Sequence, residues 1–203
     1  TGVVSLSVEI RGIPVTDPSS WKKLVALKSS YTASEFAALS RYRARYKLAQ
    51  GLDSITVEGL SQTTVESYFV ALRVTLAYTA LESLEKGLSV GPGTQVLDSN
   101  LLKQLLNERN SEMCKALLAS IDPDKHQNER NKFQKLLCGE SKNLRFAAYA
   151  IRNLMAHGVL TANRLGLENS KARRQLLNDL ADCVLNAADN RFSNHVNNEL
   201  NIK

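Results

Sequence analysis

Arg152, Asn153 and His157 are the residues of this chain whose types and spacing best suit chemistry. Arginine carries a fork of N–H donors that fits phosphate oxygens, and histidine accepts or donates a proton near neutral pH. On a helix, Asn153 and His157 lie roughly 40° apart, and Arg152 lies roughly 140° from His157. The long stem of Arg152 still allows its guanidinium to approach the imidazole. The three residues therefore indicate a phosphate-directed site.

The segment that positions these residues, 145–158, is predicted to be an amphipathic helix. Its apolar residues recur at helical spacing. They are Ala147, Ala150, Ile151 and Leu154. Gly158 suits the left-handed conformation that ends a helix. A plain helix end, with Arg152 in solvent and His157 as a C-cap partner, is the alternative interpretation.

The run Arg152-Asn153-Leu154-Met155-Ala156-His157 resembles the Arg-Asn-x-x-x-His signature of the HEPN superfamily, in which a glycine such as Gly158 commonly follows. HEPN domains are all-α bundles, and many are metal-independent endoribonucleases. The resemblance extends more weakly to residues 77–84, which look like the HEPN helix that places a polar or acidic residue against the motif. It implies that Glu82 faces Arg152 or His157. A purely structural ion pair between Glu82 and an arginine is the alternative.

The resemblance implies a metal-independent endoribonuclease that needs no cofactor and cleaves RNA by attack of a 2′-hydroxyl on the adjacent phosphate. It assigns His157 as general acid or base and Arg152 as the group that stabilises charge on the phosphorane. Asn153 would orient the histidine or bind phosphate, and Glu82 would orient Arg152 or His157. The family also implies a homodimer with the two motif helices near the twofold axis, and it suggests an antitoxin or regulatory protein partner. A non-catalytic HEPN-like module that binds RNA or protein is the alternative function.

A basic run interleaved with tyrosines spans residues 40–47. Its cations are Arg41, Arg43, Arg45 and Lys47, and its aromatic residues are Tyr42 and Tyr46. Phosphate contacts from the cations and base stacking on the tyrosines would make it an RNA-binding surface. A solvated helix face with both tyrosines packed sideways on the bundle is the alternative. Arg145 and Tyr149, on the polar face of the motif helix, complete the predicted RNA-binding set.

The remaining pattern predicts a mainly α protein: a HEPN-like bundle in residues 60–203, preceded by a strand and helical extension in 1–59. Alternating polarity predicts a strand at 3–11 that pairs with the β-like stretch 52–60. Helix starts are expected at Asp17-Pro18 and at the capping boxes 32–35 and 63–66. The stretch beyond Phe192 is expected to fray.

The composition restricts the class of protein. A net charge of +6 is compatible with a polyanionic partner such as RNA. The three cysteines lie in apolar helical contexts without CxxC spacing, which predicts reduced core thiols in a cytoplasmic protein. The three histidines lack acidic or cysteine neighbours at ligand spacing, so no metal site is predicted. No apolar run reaches the roughly 20 residues of a membrane span, and no signal peptide is visible.

Overall fold

The computed structural model is a bundle of α-helices with a small two-stranded sheet, which confirms the predicted mainly α fold. It describes residues 6–10, 16–91, 93–156 and 165–201, and for residues 6–10 and 201 it describes the backbone alone. The strands are β1 (Leu6–Ile10) and β2 (Leu52–Val57). The helices are α1 (Trp21–Ala26), α2 (Ala33–Gly51), α3 (Gln62–Gly87), α4 (Ser99–Asn107), α5 (Glu112–Ser120), α6 (Pro123–Leu137), α7 (Arg145–Ala156) and α8 (Lys171–Asn201).

Helix α3 runs through the middle of the bundle, and α2, α7 and α8 pack around it. Apolar residues occur on almost all of its sides, as expected for a helix enclosed by others. Val74, Ala77 and Leu81 are completely buried. The helix begins earlier than predicted, because Ser61 rather than Thr63 is the N-cap: the Ser61 hydroxyl accepts a hydrogen bond from the Thr64 N–H at 3.2 Å.

Helix α2 joins the N-terminal extension to the bundle. It begins at the predicted capping box, in which the Glu35 N–H donates to the Thr32 hydroxyl at 3.2 Å and the Thr32 N–H donates to the Glu35 carboxylate at 2.8 Å. The inner face of α2 carries Tyr42 and Tyr46 into the same apolar core that α3 enters. The extension and the bundle are thus joined by one core across α2 and α3.

The two strands pair antiparallel, which confirms the predicted pairing of the N-terminal strand with the stretch after α2. Leu6 lies opposite Val57 and Val8 lies opposite Ile55. Ile55 of β2 packs with Val65 near the start of α3. The sheet therefore lies against the N-terminal part of the central helix.

Helix α1 begins at Trp21, so the predicted start at Asp17-Pro18 is wrong. The reason is that the Asp17 carboxylate does not cap a helix but accepts two hydrogen bonds from Arg43, each 2.7 Å long. Two hydrogen bonds between oppositely charged groups are stronger than the single bond that the carboxylate would accept from a backbone N–H as a helix cap. It fixes the chain before α1 to the side of α2.

Helix α8 continues to Asn201, so the predicted fraying beyond Phe192 is wrong. Phe192 and Val196 are completely buried, which extends the apolar stripe of this helix by another turn. Phe192 packs on Trp21 and Tyr42, with ring centroids 6.1 and 5.3 Å apart. Within the described ranges no helix, α8 included, combines the length and apolar character that crossing a membrane requires.

The cysteines are free thiols in three different environments. Cys114 is buried and Cys183 is half-buried, but Cys138 is exposed. The prediction of a core thiol is therefore wrong for Cys138, because this residue is the C-cap of α6 and lies beyond Leu136 and Leu137, which pack on the core.

Candidate active site

Glu82 and Arg152 lie next to each other where α3 and α7 pack. The distance from Arg152 Nε to Glu82 Oε2 is 3.9 Å, and the two side chains are 35% and 37% exposed. This confirms the prediction that the helix carrying Glu82 packs on the motif helix and brings its carboxylate close to the motif. A separation of 3.9 Å is longer than a hydrogen bond. Glu82 therefore attracts the guanidinium without binding its N–H donors, which stay available to another anion.

The electrostatic environment of Glu82 disfavours its charged form. Burial raises the pKa of Glu82 above its usual value, and the attraction of Arg152, Arg145 and Arg45 only partly opposes that rise. A carboxyl group with a raised pKa beside an accessible cation is a combination that recurs at functional sites.

Asn153 is the motif residue that the structure places in the interior. It is 2% exposed, and its Nδ2 donates a hydrogen bond of 2.9 Å to the carbonyl oxygen of Ser120, the last residue of α5. Carbonyl groups at helix ends lack partners within the helix, so this bond links α7 to the end of α5. The expected contact between Asn153 and phosphate is therefore wrong, and its role in orienting His157 stays a prediction.

His157 follows Ala156, the last residue of α7, directly in the sequence. Both His157 and Gly158 lie outside the described residues. The assignment of His157 as general acid or base and that of Gly158 as the helix terminator stay predictions.

Arg145 was predicted to bind RNA, but it is 5% exposed and forms a buried ion pair with Glu85. Its two terminal nitrogens donate to the two carboxylate oxygens of Glu85 at 2.6 and 2.8 Å. The guanidinium also lies over the ring of Tyr78, 5.6 Å from its centroid. A cation enclosed in this way cannot contact a phosphate backbone. The sequence signal was available in Glu85, a second carboxylate on the apolar helix α3 that needed a buried partner.

The protonation of this pair is settled by its hydrogen bonds. Burial opposes ionisation of Glu85, but the bonds from Arg145 and from the Thr94 N–H outweigh it and lower the pKa of Glu85 below its usual value. Burial likewise opposes the charge on Arg145, yet the bond to Glu85 raises the pKa of Arg145. Both groups are charged in the folded protein.

Most cations of the basic run on α2 have partners within the protein. Arg43 binds Asp17 and lies 5.1 Å from the Trp21 ring, and Lys47 Nζ is 3.5 Å from Asp17 Oδ1. Arg45 donates to the Thr79 carbonyl at 3.2 Å and to the Ser83 hydroxyl. Partners within the protein thus engage much of the positive charge that was predicted to bind RNA. The exposed Arg41 is the cation of this run that stays most clearly available to a phosphate.

The tyrosines of the basic run do not face solvent. Tyr42 is completely buried and Tyr46 is 7% exposed, and their rings meet edge to face with centroids 5.8 Å apart. Neither ring can stack on a base, so the predicted stacking surface is wrong and the alternative of tyrosines packed on the bundle is correct. The apolar neighbours that bury them come from α8, through Phe192.

Tyr149 is the member of the predicted RNA-binding set that lies beside Glu82. Both residues line a cavity of about 390 Å³ between α3, α6 and α7. The half-buried ring of Tyr149 meets Tyr78 edge to face, with centroids 5.9 Å apart. Burial and the nearby Glu129 carboxylate raise the pKa of Tyr149.

Glu129 and Lys132 also line this cavity, and neither was among the predicted site residues. Both are half-buried residues of α6. Their spacing of three residues on one helix face was the signal that both point in the same direction.

Comparison with protein-family models, with curated proteins and with solved structures finds no match to this chain.

Proposed function

We propose that the protein is a metal-independent endoribonuclease of the HEPN type. The observation that carries the proposal is the half-exposed pair of Glu82 and Arg152, which lie 3.9 Å apart on neighbouring helices. Arg152 precedes His157 by five residues in the sequence. This arrangement offers a fixed cation to a phosphate near a residue able to transfer protons. The resemblance of residues 152–157 to the HEPN signature adds the reaction class.

The reaction forms one bond to phosphorus and breaks another. The 2′-oxygen of the ribose attacks the adjacent phosphorus while His157 acts in proton transfer, removing the 2′-hydroxyl proton or protonating the 5′-oxygen that leaves. Arg152 stabilises the negative charge that develops on the phosphorane oxygens. The products are a 2′,3′-cyclic phosphate and a 5′-hydroxyl end.

The tethered nucleophile supplies much of the rate. The 2′-hydroxyl is already next to its phosphate, so the chemistry does not depend on a metal-activated water. Glu82 acts as a positioning residue because it restrains the guanidinium of Arg152. Asn153 holds the C-terminal turn of α7 on α5 through its bond to Ser120.

The biological setting is proposed on the resemblance and on composition. A homodimer would bring two copies of the motif to one cleft, as in many HEPN proteins. A role in a toxin–antitoxin or defence system would supply an antitoxin or regulatory protein as partner. Cytoplasmic localisation is proposed because the three cysteines are free and lack a pairing pattern.

The test is incubation of the pure protein with total RNA in EDTA. Wild type should cleave and leave cyclic phosphate ends, and His157→Ala and Arg152→Ala should not. An all-DNA substrate should stay intact because it lacks the attacking hydroxyl. Arg109→Ala is the matched control, since Arg109 is an exposed arginine in the turn between α4 and α5. If the wild-type protein binds RNA without cleaving it, the proposed enzymatic function is wrong and a HEPN-like binding module is favoured.

A further inference from the structure

Three helices form the walls of the cavity beside Glu82. Helix α3 contributes Tyr78 and Glu82, α6 contributes Glu129 and Lys132, and α7 contributes Phe146 and Tyr149. Its volume of about 390 Å³ lies at the lower end of the range of small-molecule sites, roughly 300–1,000 Å³. A single nucleotide is the size of ligand that suits it.

The aromatic walls suit a flat ligand. Tyr149 is half-buried and is held edge-on by Tyr78, with centroids 5.9 Å apart, so its ring has a fixed orientation. Lys132 lies 5.6 Å from the centroid of the Phe146 ring on the same side. Bases of single-stranded RNA are bound by stacking on such rings and by hydrogen bonds to their edges.

The carboxylates of the cavity differ in how far they are already engaged. Both carboxylate oxygens of Glu85 accept hydrogen bonds from Arg145, and one of them also accepts from the Thr94 N–H. Glu82 faces Arg152. Glu129 forms no ion pair or hydrogen bond with another residue in the described part of the chain, although it is only half exposed. An ionised carboxylate offers two acceptor oxygens and no donor. Glu129 is therefore the group available to a ligand with two adjacent donors.

We propose that this cavity binds a guanine base of the RNA, with Glu129 accepting hydrogen bonds from the guanine N1–H and N2–H groups and Tyr149 stacking on the ring. Guanine is the RNA base that presents two neighbouring donors on its Watson–Crick edge. Adenine and cytosine present one amino group beside an acceptor, and uracil presents one N–H between two acceptors. A pair of carboxylate oxygens thus selects guanine over the other three.

The assignment, which rests on the ribonuclease function proposed above, makes the cleavage guanine-specific. Glu82 belongs both to the cavity wall and to the ion pair with Arg152. A nucleotide whose base enters the cavity therefore has its phosphate on the side of Arg152. Lys86 and Lys132, which also line the cavity, supply further positive charge for the RNA backbone.

The experiment is calorimetric titration of the full chain with the four ribonucleoside 3′-monophosphates and with inosine 3′-monophosphate. Wild type should bind the guanosine nucleotide at least about tenfold more tightly than the adenosine, cytidine and uridine nucleotides. Inosine lacks the N2 amino group and should bind more weakly than guanosine. Glu129→Gln should reduce guanosine binding to the level of the others, and Tyr149→Leu should weaken all five.

Glu140→Gln is the matched control, because Glu140 is an exposed glutamate just after α6 and outside this cavity. It should leave every affinity unchanged. Equal affinities in wild type, or a guanosine preference that survives Glu129→Gln in a folded variant, would overturn the assignment. Cleavage of RNA without guanosine preference keeps the function and overturns the cavity assignment. Selective guanosine binding with RNA left intact keeps the cavity assignment and overturns the function.

Discussion

The carboxylate of Glu85 and the guanidinium of Arg145 form a bidentate ion pair whose two hydrogen bonds are 2.6 and 2.8 Å long and whose side chains are 6% and 7% exposed. Three residues earlier on α3, Glu82 pairs with Arg152, which lies seven residues later on α7. The partners thus run in opposite directions, which shows that α3 and α7 are antiparallel here. One pair is enclosed and the other is partly open to solvent, so of these two pairs only the second is accessible to a ligand.

The buried pair should dominate the stability of the α3–α7 contact. Arg145→Ala leaves the Glu85 carboxylate buried and uncompensated, which typically costs about 3–5 kcal/mol. Urea denaturation followed by circular dichroism measures this loss. The double variant Glu85→Leu/Arg145→Met should recover most of it, because apolar residues of similar size leave no buried charge. A loss below about 1 kcal/mol for Arg145→Ala would contradict the enclosed pair.

The pH dependence of stability should follow Glu85. Its pKa is lowered in the folded protein below the usual value of 4.5, so the stabilisation is fully present above that value and is lost as the pH falls through the folded pKa. Thermal melting of wild type and Glu85→Gln from neutral pH downwards should show a difference that narrows only below about pH 4.5. A difference that is constant down to strongly acidic pH would contradict the lowered pKa.

Arg152 should matter for activity and little for stability. Its ion pair with Glu82 is exposed by more than a third, and such pairs typically contribute about 0–1 kcal/mol. Removing one group that stabilises transition-state charge typically lowers the rate by about a hundredfold to a thousandfold. Single-turnover cleavage of a short RNA by Arg152→Ala and Arg109→Ala, beside their melting curves, measures both effects. Equal activity of the two variants would remove Arg152 from the site.

Asn153 should behave as a structural residue. Asn153→Leu removes the donor to the Ser120 carbonyl and leaves that oxygen without its partner, which typically costs about 1–3 kcal/mol. The free energy of unfolding from urea titration is the measurement. Asn153→Asp should be destabilised as well, since an ionised carboxylate cannot donate the bond. Wild-type stability in both variants would show that the bond contributes nothing.

The homodimer proposed from the HEPN resemblance gives a hydrodynamic prediction. Light scattering coupled to gel filtration at micromolar concentration should give about twice the 22.4 kDa mass of the chain. A monomer over the whole range of concentration would contradict a cleft built from two copies of the motif.

Local rules determined much of the fold. The period of two in the N-terminal strand and the capping box at Thr32 and Glu35 both occur where the sequence predicts them. These patterns depend on neighbours within a few residues, which the sequence displays directly. The approach of Glu82 to Arg152 was also predictable, because a carboxylate on an otherwise apolar helix needs a cationic or donor partner.

Only the tertiary structure decided which cation is available to a ligand. Arg145 and Arg152 lie seven residues apart on α7, which is two turns and roughly a 20° difference in direction. The sequence therefore places both on one helix face and gives no reason to separate them. Tyr78 covers Arg145, and the chain at Thr94 closes over its partner Glu85, so that end of the face is buried. The end at Arg152 has no such cover among the described residues and stays half-exposed, because burial depends on distant segments and not on the helix that carries the residue.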